Sequence, residues 1–171
     1  VDSTAATSQT ACPAGTYNSN SGSTSSSACL DTDVGYYSNS GSSAQTACAA
    51  GTYQPSTGQS SCIDASAGYF VPSTAATSQI GCALGTYQPS TGQSSCIDAS
   101  AGYYVATTGS ISQTACAAGT YQASTGQSSC TDASAGYYVS STAATSQTAC
   151  AAGTYQPSTA QTSCTDASAG Y

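Results

Sequence analysis

The chain has 171 residues and a net charge of −7, with no Lys, Arg or His and seven acidic residues, all of them Asp. Because no cation is available to displace counterions, the composition excludes binding to nucleic acid or to an anionic membrane surface. Leu, Ile, Val and Phe number only 12, too few for an ordinary aliphatic core, so the ten cysteines and thirteen tyrosines must take over much of its role.

The number and spacing of the cysteines indicate the redox compartment of the protein. They are even in number, regularly spaced and never arranged as CxxC, which is typical of disulfides formed in an oxidising setting. No hydrophobic run approaches the roughly 18 residues of a transmembrane helix. We therefore expect an extracellular or cell-surface protein that neither spans a membrane nor binds nucleic acid.

A tandem repeat organises the chain. Glycine recurs every 17 residues from Gly51 to Gly170, with looser spacing upstream at Gly15 and Gly35. Type A units read CAAGTYQPSTGQSSC and alternate with type B units, ASAGYYVSSTAATSQ, which gives a 34-residue super-repeat. The pattern predicts a single array over residues 1–171, with super-repeats at roughly 12–47, 48–81, 82–115, 116–149 and 150–171, the last continuing into residues 1–11 of a next unit.

Each unit has the pattern of a small β-hairpin. A short aromatic run, GTYQ or GYYV, leads into turn residues, PSTGQ or STAATS, and then returns. Side-chain alternation predicts an inner row of aromatics two residues after each repeat glycine. The tyrosines one residue after the type B glycines would then face outward, as packing or interface residues; they are Tyr69, Tyr103 and Tyr137. We predict an all-β protein of disulfide-linked hairpins in an elongated rod, with a β-solenoid as the alternative.

The cysteines are present or absent in pairs. Each regular type A unit has cysteine three residues before and eleven residues after its glycine, whereas type B has Ala and Gln at those two places. Paired loss is best explained by bonding between the two members, although pairing across the longer gaps is the alternative. We expect Cys12–Cys29, Cys48–Cys62, Cys82–Cys96, Cys116–Cys130 and Cys150–Cys164, each contributing about 3 kcal/mol in the chain-entropy model.

Two stretches, CPAGTYNSNSGSTSSSAC and CAAGTYQPSTGQSSC, resemble the tandem cysteine-rich repeats called ephrin-receptor-like, found in extracellular proteins. The family pattern is C-x-x-G-T-Y, a Ser/Gly-rich turn, and C-x-x-C into the next unit. This chain departs from it at each junction, as in Cys62-Ile-Asp-Ala65, where only the first cysteine is kept. The resemblance implies extended, cross-linked rods with structural or adhesive duties and no catalytic activity.

Catalysis is difficult to build from this set of residues. With no His, Lys or Glu, the Ser and Tyr hydroxyls have no activating partner except Asp. We expect no enzyme, no cofactor and no zinc, whose usual His ligands and CxxC pairs are missing. One Asp per super-repeat leaves weak Ca²⁺ binding open, although capping of a local turn is favoured over it; these residues are Asp64, Asp98, Asp132 and Asp166.

Glycans are the expected covalent partners. No Asn-x-Ser/Thr sequon occurs, whereas Ser and Thr together number 60 and often follow proline in turns. The candidates for O-glycosylation are Ser56, Thr57, Ser73, Thr74, Ser90, Thr91, Ser158 and Thr159. Solvation of tight turns is the alternative role for these hydroxyls.

The two ends of the sequence bear on function. Residues 165–171, TDASAGY, placed before residues 1–12, VDSTAATSQTAC, make a type B unit one residue short. This predicts either a window of a longer repetitive chain or copies that meet head to tail. We expect a subunit or segment of an extracellular filament or surface fibre whose partners are copies of itself; an adhesive or display stalk and an ice-binding protein are the alternatives.

Overall fold

The computed structural model describes residues 10–20 and 25–168. These residues form eighteen two-residue strands and one short 3-10 helix, Ser26–Ala28. The strands are β1 Thr16–Tyr17, β2 Leu30–Asp31, β3 Tyr36–Tyr37, β4 Thr46–Ala47, β5 Thr52–Tyr53, β6 Ile63–Asp64, β7 Tyr69–Phe70, β8 Ile80–Gly81, β9 Thr86–Tyr87, β10 Ile97–Asp98, β11 Tyr103–Tyr104, β12 Thr114–Ala115, β13 Thr120–Tyr121, β14 Thr131–Asp132, β15 Tyr137–Tyr138, β16 Thr148–Ala149, β17 Thr154–Tyr155 and β18 Thr165–Asp166.

The strands pair two by two along the chain, β1 with β2 through β17 with β18. The pairing is antiparallel, and the register repeats: in a type A hairpin Tyr53 lies opposite Ile63, and in a type B hairpin Tyr104 lies opposite Thr114. Type A hairpins are β1–β2, β5–β6, β9–β10, β13–β14 and β17–β18, and the remaining four are type B. The predicted all-β fold of disulfide-linked hairpins is confirmed.

The β-solenoid alternative is not supported. Among the described residues, each strand is paired only within its own hairpin, so no long sheet stacks strands of successive units. The disulfides cross-link the type A hairpins, which are every second one.

A tight turn starts each hairpin, and it depends on the repeat glycine. In the third hairpin the amide of Thr52 donates to the carbonyl of Ala49 at 3.0 Å, and Gly51 between them has φ +90°. A positive φ at this place in the turn is the mark of a type II turn, which glycine adopts without a steric penalty. The hydroxyl of Thr52 also donates to the Ala49 carbonyl at 2.9 Å, and this holds the turn closed.

The chain divides into two compact units, one of residues 1–80 with 91–95 and one of residues 81–90 with 96–171. Each has a core of small side chains. In the described part of the first unit the buried side chains are Cys12, Thr32, Ser38, Cys48, Gln54, Ala65 and Val71. In the described part of the second they are Cys82, Gln88, Ala99, Val105, Cys116, Ala133 and Val139.

All of these core residues lie three positions before or three positions after a repeat glycine. The expected inner row of aromatics is therefore wrong as a description of the core, because Tyr17, Tyr37, Tyr53 and Phe70 are only half-buried. Each strand is two residues long, so the chain turns inward immediately after the aromatic. The space that results holds Cys, Ala, Val, Thr, Ser and Gln side chains, while the aromatic rings stay half-exposed beside it.

Candidate functional site: the interface between repeats

Consecutive hairpins are joined by main-chain hydrogen bonds. In the first unit the Gly51 amide donates to the Val71 carbonyl at 2.8 Å, and the Gln54 amide donates to the Ala76 carbonyl at 3.0 Å. In the opposite direction the Ala75 amide donates to the Cys48 carbonyl at 2.8 Å. These three bonds attach the type A hairpin β5–β6 to the turn of the type B hairpin that follows.

The second unit repeats these bonds at equivalent residues. The Gly119 amide donates to Val139 at 2.7 Å, and the Ala143 amide donates to Cys116 at 2.8 Å. A type B hairpin joins the following type A hairpin in the same way, since the Gly102 amide donates to the Gln122 carbonyl at 2.7 Å. The interface uses backbone atoms, so it is the same whichever type of repeat comes next.

A second contact reaches two repeats along the chain. A Cβ added at Gly51 would overlap the carbonyl oxygen of Gly92, which lies at the tip of the next type A turn. A Cβ added at Gly102 would overlap the carbonyl oxygen of Ala143 in the same manner. The repeat glycine is therefore required twice, once for its positive φ and once for this close approach.

Five disulfides join consecutive cysteines: Cys12–Cys29, Cys48–Cys62, Cys82–Cys96, Cys116–Cys130 and Cys150–Cys164. These are the pairs that the paired loss of cysteine indicates. Their Cα–Cα distances are 5.6 to 5.8 Å, inside the usual range for a disulfide. Pairing across the 20-residue gaps is not seen, and no described cysteine is free.

Glutamine takes the place of the disulfide in type B hairpins. Gln79 stands where Cys62 stands in type A, and its side-chain oxygen accepts a hydrogen bond from the Ser66 amide at 2.7 Å. Gln113 and Gln147 make the same bond, to Ser100 and Ser134, each at 2.7 Å. The returning strand is thus tied to the start of the hairpin by glutamine hydrogen bonds, where type A has a covalent bond.

A further glutamine, which sequence reasoning missed, braces the type A turn. The Gln54 side chain donates from Nε2 to the Ser61 carbonyl at 2.8 Å, and its Oε1 accepts from the Ser56 amide at 3.2 Å. The type B hairpins from Gly68 onward have valine at this place, and Val71 is fully buried. The signal was available in the sequence, as a strict alternation of Gln and Val three residues after the glycine from Gln54 onward.

The predicted interface tyrosines differ in exposure. Tyr69 and Tyr137 are exposed at 38% and 39%, whereas Tyr103 is half-buried. Tyr69, Tyr103 and Tyr137 lie on type B strands, and each directly precedes a half-buried aromatic: Phe70, Tyr104 and Tyr138 respectively. Their role as an interface stays a prediction.

The recurring aspartates lie beside turns and not beside one another. The Asp64 and Asp98 carboxylates lie next to Gly92 and Gly126, two repeats along, with 3.6 Å between Oδ1 and a Cβ added at the glycine. Asp132 and Asp166 are exposed on β14 and β18. Within the described residues, no three His, Cys, Asp or Glu side chains gather as a metal site would require.

The candidate glycosylation residues all lie at the surface. Ser56, Thr57, Ser73, Thr74, Ser90, Thr91, Ser158 and Thr159 are exposed. They occupy the turn that joins the two strands of each hairpin, at the opposite end from the repeat glycine. In the part of the chain that the structure describes, no helix is long and apolar enough to cross a membrane.

Residues 35–82 and 68–116 each match the sequence profile of a family described as tyrosine-protein kinase ephrin type A/B receptor-like. The predicted resemblance is confirmed for residues 35–116. Ephrin-receptor-like repeats are non-catalytic, disulfide-rich modules. No curated protein matches the chain.

The match to the ephrin-receptor-like family over residues 35–116 and the disulfides together indicate an extracellular structural or adhesive repeat protein. The family's C-x-x-C junction is reduced here to a single cysteine. The second cysteine of that motif is replaced by Ala65, Ala99 and Ala133, each fully buried in the core. The type B hairpin thus keeps the repeat geometry without its own disulfide.

Proposed function

We propose that this chain is a structural segment of an extracellular filament or surface fibre, extended by head-to-tail packing of copies through the interface between repeats. The observation that carries the proposal is the sameness of that interface. In the described chain, seven repeat glycines donate their amide to a carbonyl of the next hairpin, and the carbonyl three residues before each of them accepts from an amide in a later turn. A repeat of one copy can therefore dock on a repeat of another through bonds that the fold already uses.

At two repeat glycines, no turn of the described chain covers the glycine. Gly136 and Gly153 have no atom of the described chain within 4 Å of an added Cβ, whereas the equivalent Gly102 and Gly119 are covered by turn carbonyls. The next repeat in the array, supplied under this proposal by a second copy or by a continuation of the same chain, would place its turn carbonyl over each of them. The lack of any Lys or Arg also suits a durable external material, since proteases that cut after basic residues find no site.

The test compares the purified chain with a Gly136→Ala/Gly153→Ala variant by sedimentation velocity and negative-stain electron microscopy. We expect concentration-dependent filaments of the parent chain and monomers of the variant, because the added methyl groups block the incoming turn. An Ala152→Ser variant, changed at an exposed neighbouring residue, is the matched control and should assemble normally. Parent chains that stay monomeric at every concentration, or a glycine variant that assembles like the control, would contradict the proposal.

We also propose O-linked glycans on the exposed turn hydroxyls. Exposure of all eight candidates supports this, because a transferase needs an accessible hydroxyl. The intact mass of the natural material tests it. We expect a mass above that of the bare chain by whole sugar units, whereas a mass equal to the sequence less the disulfide hydrogens would contradict it.

A further inference from the structure

Two clefts of the same composition occur where a type B hairpin meets the following type A hairpin. One, of about 510 Å³, lies in the first unit between hairpins β3–β4 and β5–β6, and the other, of about 260 Å³, lies in the second unit between hairpins β15–β16 and β17–β18. Their walls share five residue types at equivalent positions: Tyr37, Ala49, Thr52, Ser61 and Cys62 in the first, and Tyr138, Ala151, Thr154, Ser163 and Cys164 in the second. The larger volume lies within the range of about 300–1,000 Å³ typical of ligand pockets, and the smaller lies just below it.

The walls combine an aromatic ring with hydroxyl groups. Tyr37 is half-buried, so part of its ring is open to the cleft. The Thr52 hydroxyl donates a hydrogen bond to the Ala49 carbonyl, so the hydroxyl oxygen remains available as an acceptor. Ser61 is exposed, and its hydroxyl can donate or accept. An aromatic face beside hydroxyl groups complements a pyranose ring, which has one C–H-lined face and a rim of hydroxyls.

The charge of the chain selects among ligands. None of the residues that line either cleft is charged. The chain as a whole carries −7 with no cation, so an acidic sugar, a nucleotide or a phosphate is repelled. We propose that the type B to type A clefts bind uncharged sugar residues of a polysaccharide, a binding activity in addition to the structural role.

This set of lining residues belongs to one kind of junction. Where a type A hairpin meets the following type B hairpin, the places of Ala49, Thr52 and Cys62 are taken by Ser66, Tyr69 and Gln79. The Gln79 side chain folds across to the Ser66 amide at 2.7 Å, so a longer side chain occupies the wall that the disulfide lines in type A. The type A aromatics, such as Tyr53, are equally half-buried but lack this neighbour set.

The residues of the proposed site recur with the 34-residue super-repeat. Tyr104, Thr120 and Cys130 stand at the same repeat positions between the two clefts, 34 residues before Tyr138, Thr154 and Cys164. Several shallow sites along one chain bind a polymer more tightly than any single site, because each later contact is intramolecular. A polysaccharide is therefore a better ligand than a monosaccharide.

The experiment uses the full chain, produced without glycans and with its disulfides formed, and titrates it by NMR with cellohexaose, mannohexaose and, as the anionic control, trigalacturonate. We expect at least one neutral oligosaccharide to bind with a Kd of about 1 mM and trigalacturonate not to bind. A triple variant with Tyr37, Tyr104 and Tyr138 changed to Ala should weaken binding about tenfold or more, the effect of losing a stacked ring. The matched control changes Tyr53, Tyr87 and Tyr121 to Ala and should shift the Kd less than twofold.

Saturation-transfer NMR on the unchanged chain keeps the test decisive if a triple variant fails to fold. We expect transfer between the neutral sugar and the rings of Tyr37, Tyr104 and Tyr138, and none with Tyr53, Tyr87 and Tyr121. Three results would overturn the proposal: no binding of either neutral hexasaccharide, equal loss in both triple variants, or equal transfer to both sets of rings.

Discussion

Type A and type B hairpins close the same backbone loop with different side chains. In the type A hairpin at Gly51, a disulfide joins Cys48 to Cys62 and the Gln54 side chain braces the turn. In the type B hairpin at Gly68, Ala65 and Val71 fill the core, and a hydrogen bond from the Ser66 amide to the Gln79 side chain closes the loop. Two main-chain bonds are nevertheless equivalent in both: the amides of Gln54 and Val71 donate to the turn that follows, and the carbonyls of Cys48 and Ala65 accept from that turn.

The difference shows that the backbone frame and the cross-link are separate requirements. A type B hairpin folds without a disulfide because its neighbours in the chain are cross-linked and bond to it on both sides. Type A hairpins border an open cleft and have a polar turn, and a covalent link stabilises them. Type B hairpins instead fill their core with apolar groups. The alternation lets five disulfides stabilise nine hairpins in the described chain.

The largest effect should fall on what the two types share. Gly102→Ala should lower the free energy of unfolding by about 4 kcal/mol, because the methyl group adds a clash with the Ala143 carbonyl to the cost of a positive φ. Gly136→Ala has the same φ of 84° but open space, and should cost only about 1.5 kcal/mol. Denaturation followed by tyrosine fluorescence measures both. Equal losses would show that the close approach between repeats carries no weight.

The cross-link should separate the two types next. Replacing Cys116 and Cys130 together by Ala should cost about 3 kcal/mol in the chain-entropy model. Removing the type B equivalent by Gln113→Ala removes two neutral hydrogen bonds to Ser100, one of them long at 3.4 Å, and should cost about 1 kcal/mol. The same denaturation measurement compares them. A glutamine variant as damaged as the double cysteine variant would contradict the distinction between the two closures.

The residue three positions after the glycine gives a smaller contrast. Val105→Ala removes a buried side chain, 3% exposed, and should cost about 2 kcal/mol through lost burial and a cavity. Gln122→Ala removes two hydrogen bonds from a half-buried side chain, to Ser129 and from Ser124, and should cost about 1 kcal/mol. Thermal unfolding of the two variants side by side checks the order, and a reversed order would refute it.

The smallest effect concerns the tip of the turn. Ala143 has φ +55°, a conformation that costs a non-glycine residue about 1–2 kcal/mol. Ala143→Gly should therefore stabilise the chain by about 0.5 kcal/mol after the extra chain entropy of glycine is subtracted. Ala144→Gly, one residue on, has no positive φ to relieve and should destabilise it. The two melting temperatures should thus shift in opposite directions, and a downward shift for Ala143→Gly would contradict the assignment of strain there.

Much of the fold was predictable from the repeat. The paired loss of cysteines indicated the disulfides now seen, and the Gly-Thr-Tyr and Gly-Tyr-Tyr runs indicated the hairpins. The core was not predicted, because alternation along a strand applies to strands longer than two residues, and here the chain leaves the strand immediately after Tyr53 or Tyr104. The contact two repeats away could have been suspected from the turn tips, which admit only Gly or Ala: Gly58, Ala75, Gly92, Gly109, Gly126, Ala143 and Ala160. Its geometry depends on how successive hairpins stack, which no local pattern encodes.

Disulfide mapping tests the comparison between the two hairpin types most directly. Cleavage after each tyrosine places each of the ten cysteines on a separate peptide, so every disulfide yields one linked pair of peptides that mass spectrometry identifies. We predict five pairs, each joining the two cysteines of one type A hairpin, and no peptide that links two hairpins. Linked peptides that contain Cys29 with Cys48, or Cys62 with Cys82, would show that the disulfides span the type B hairpins and would contradict the account.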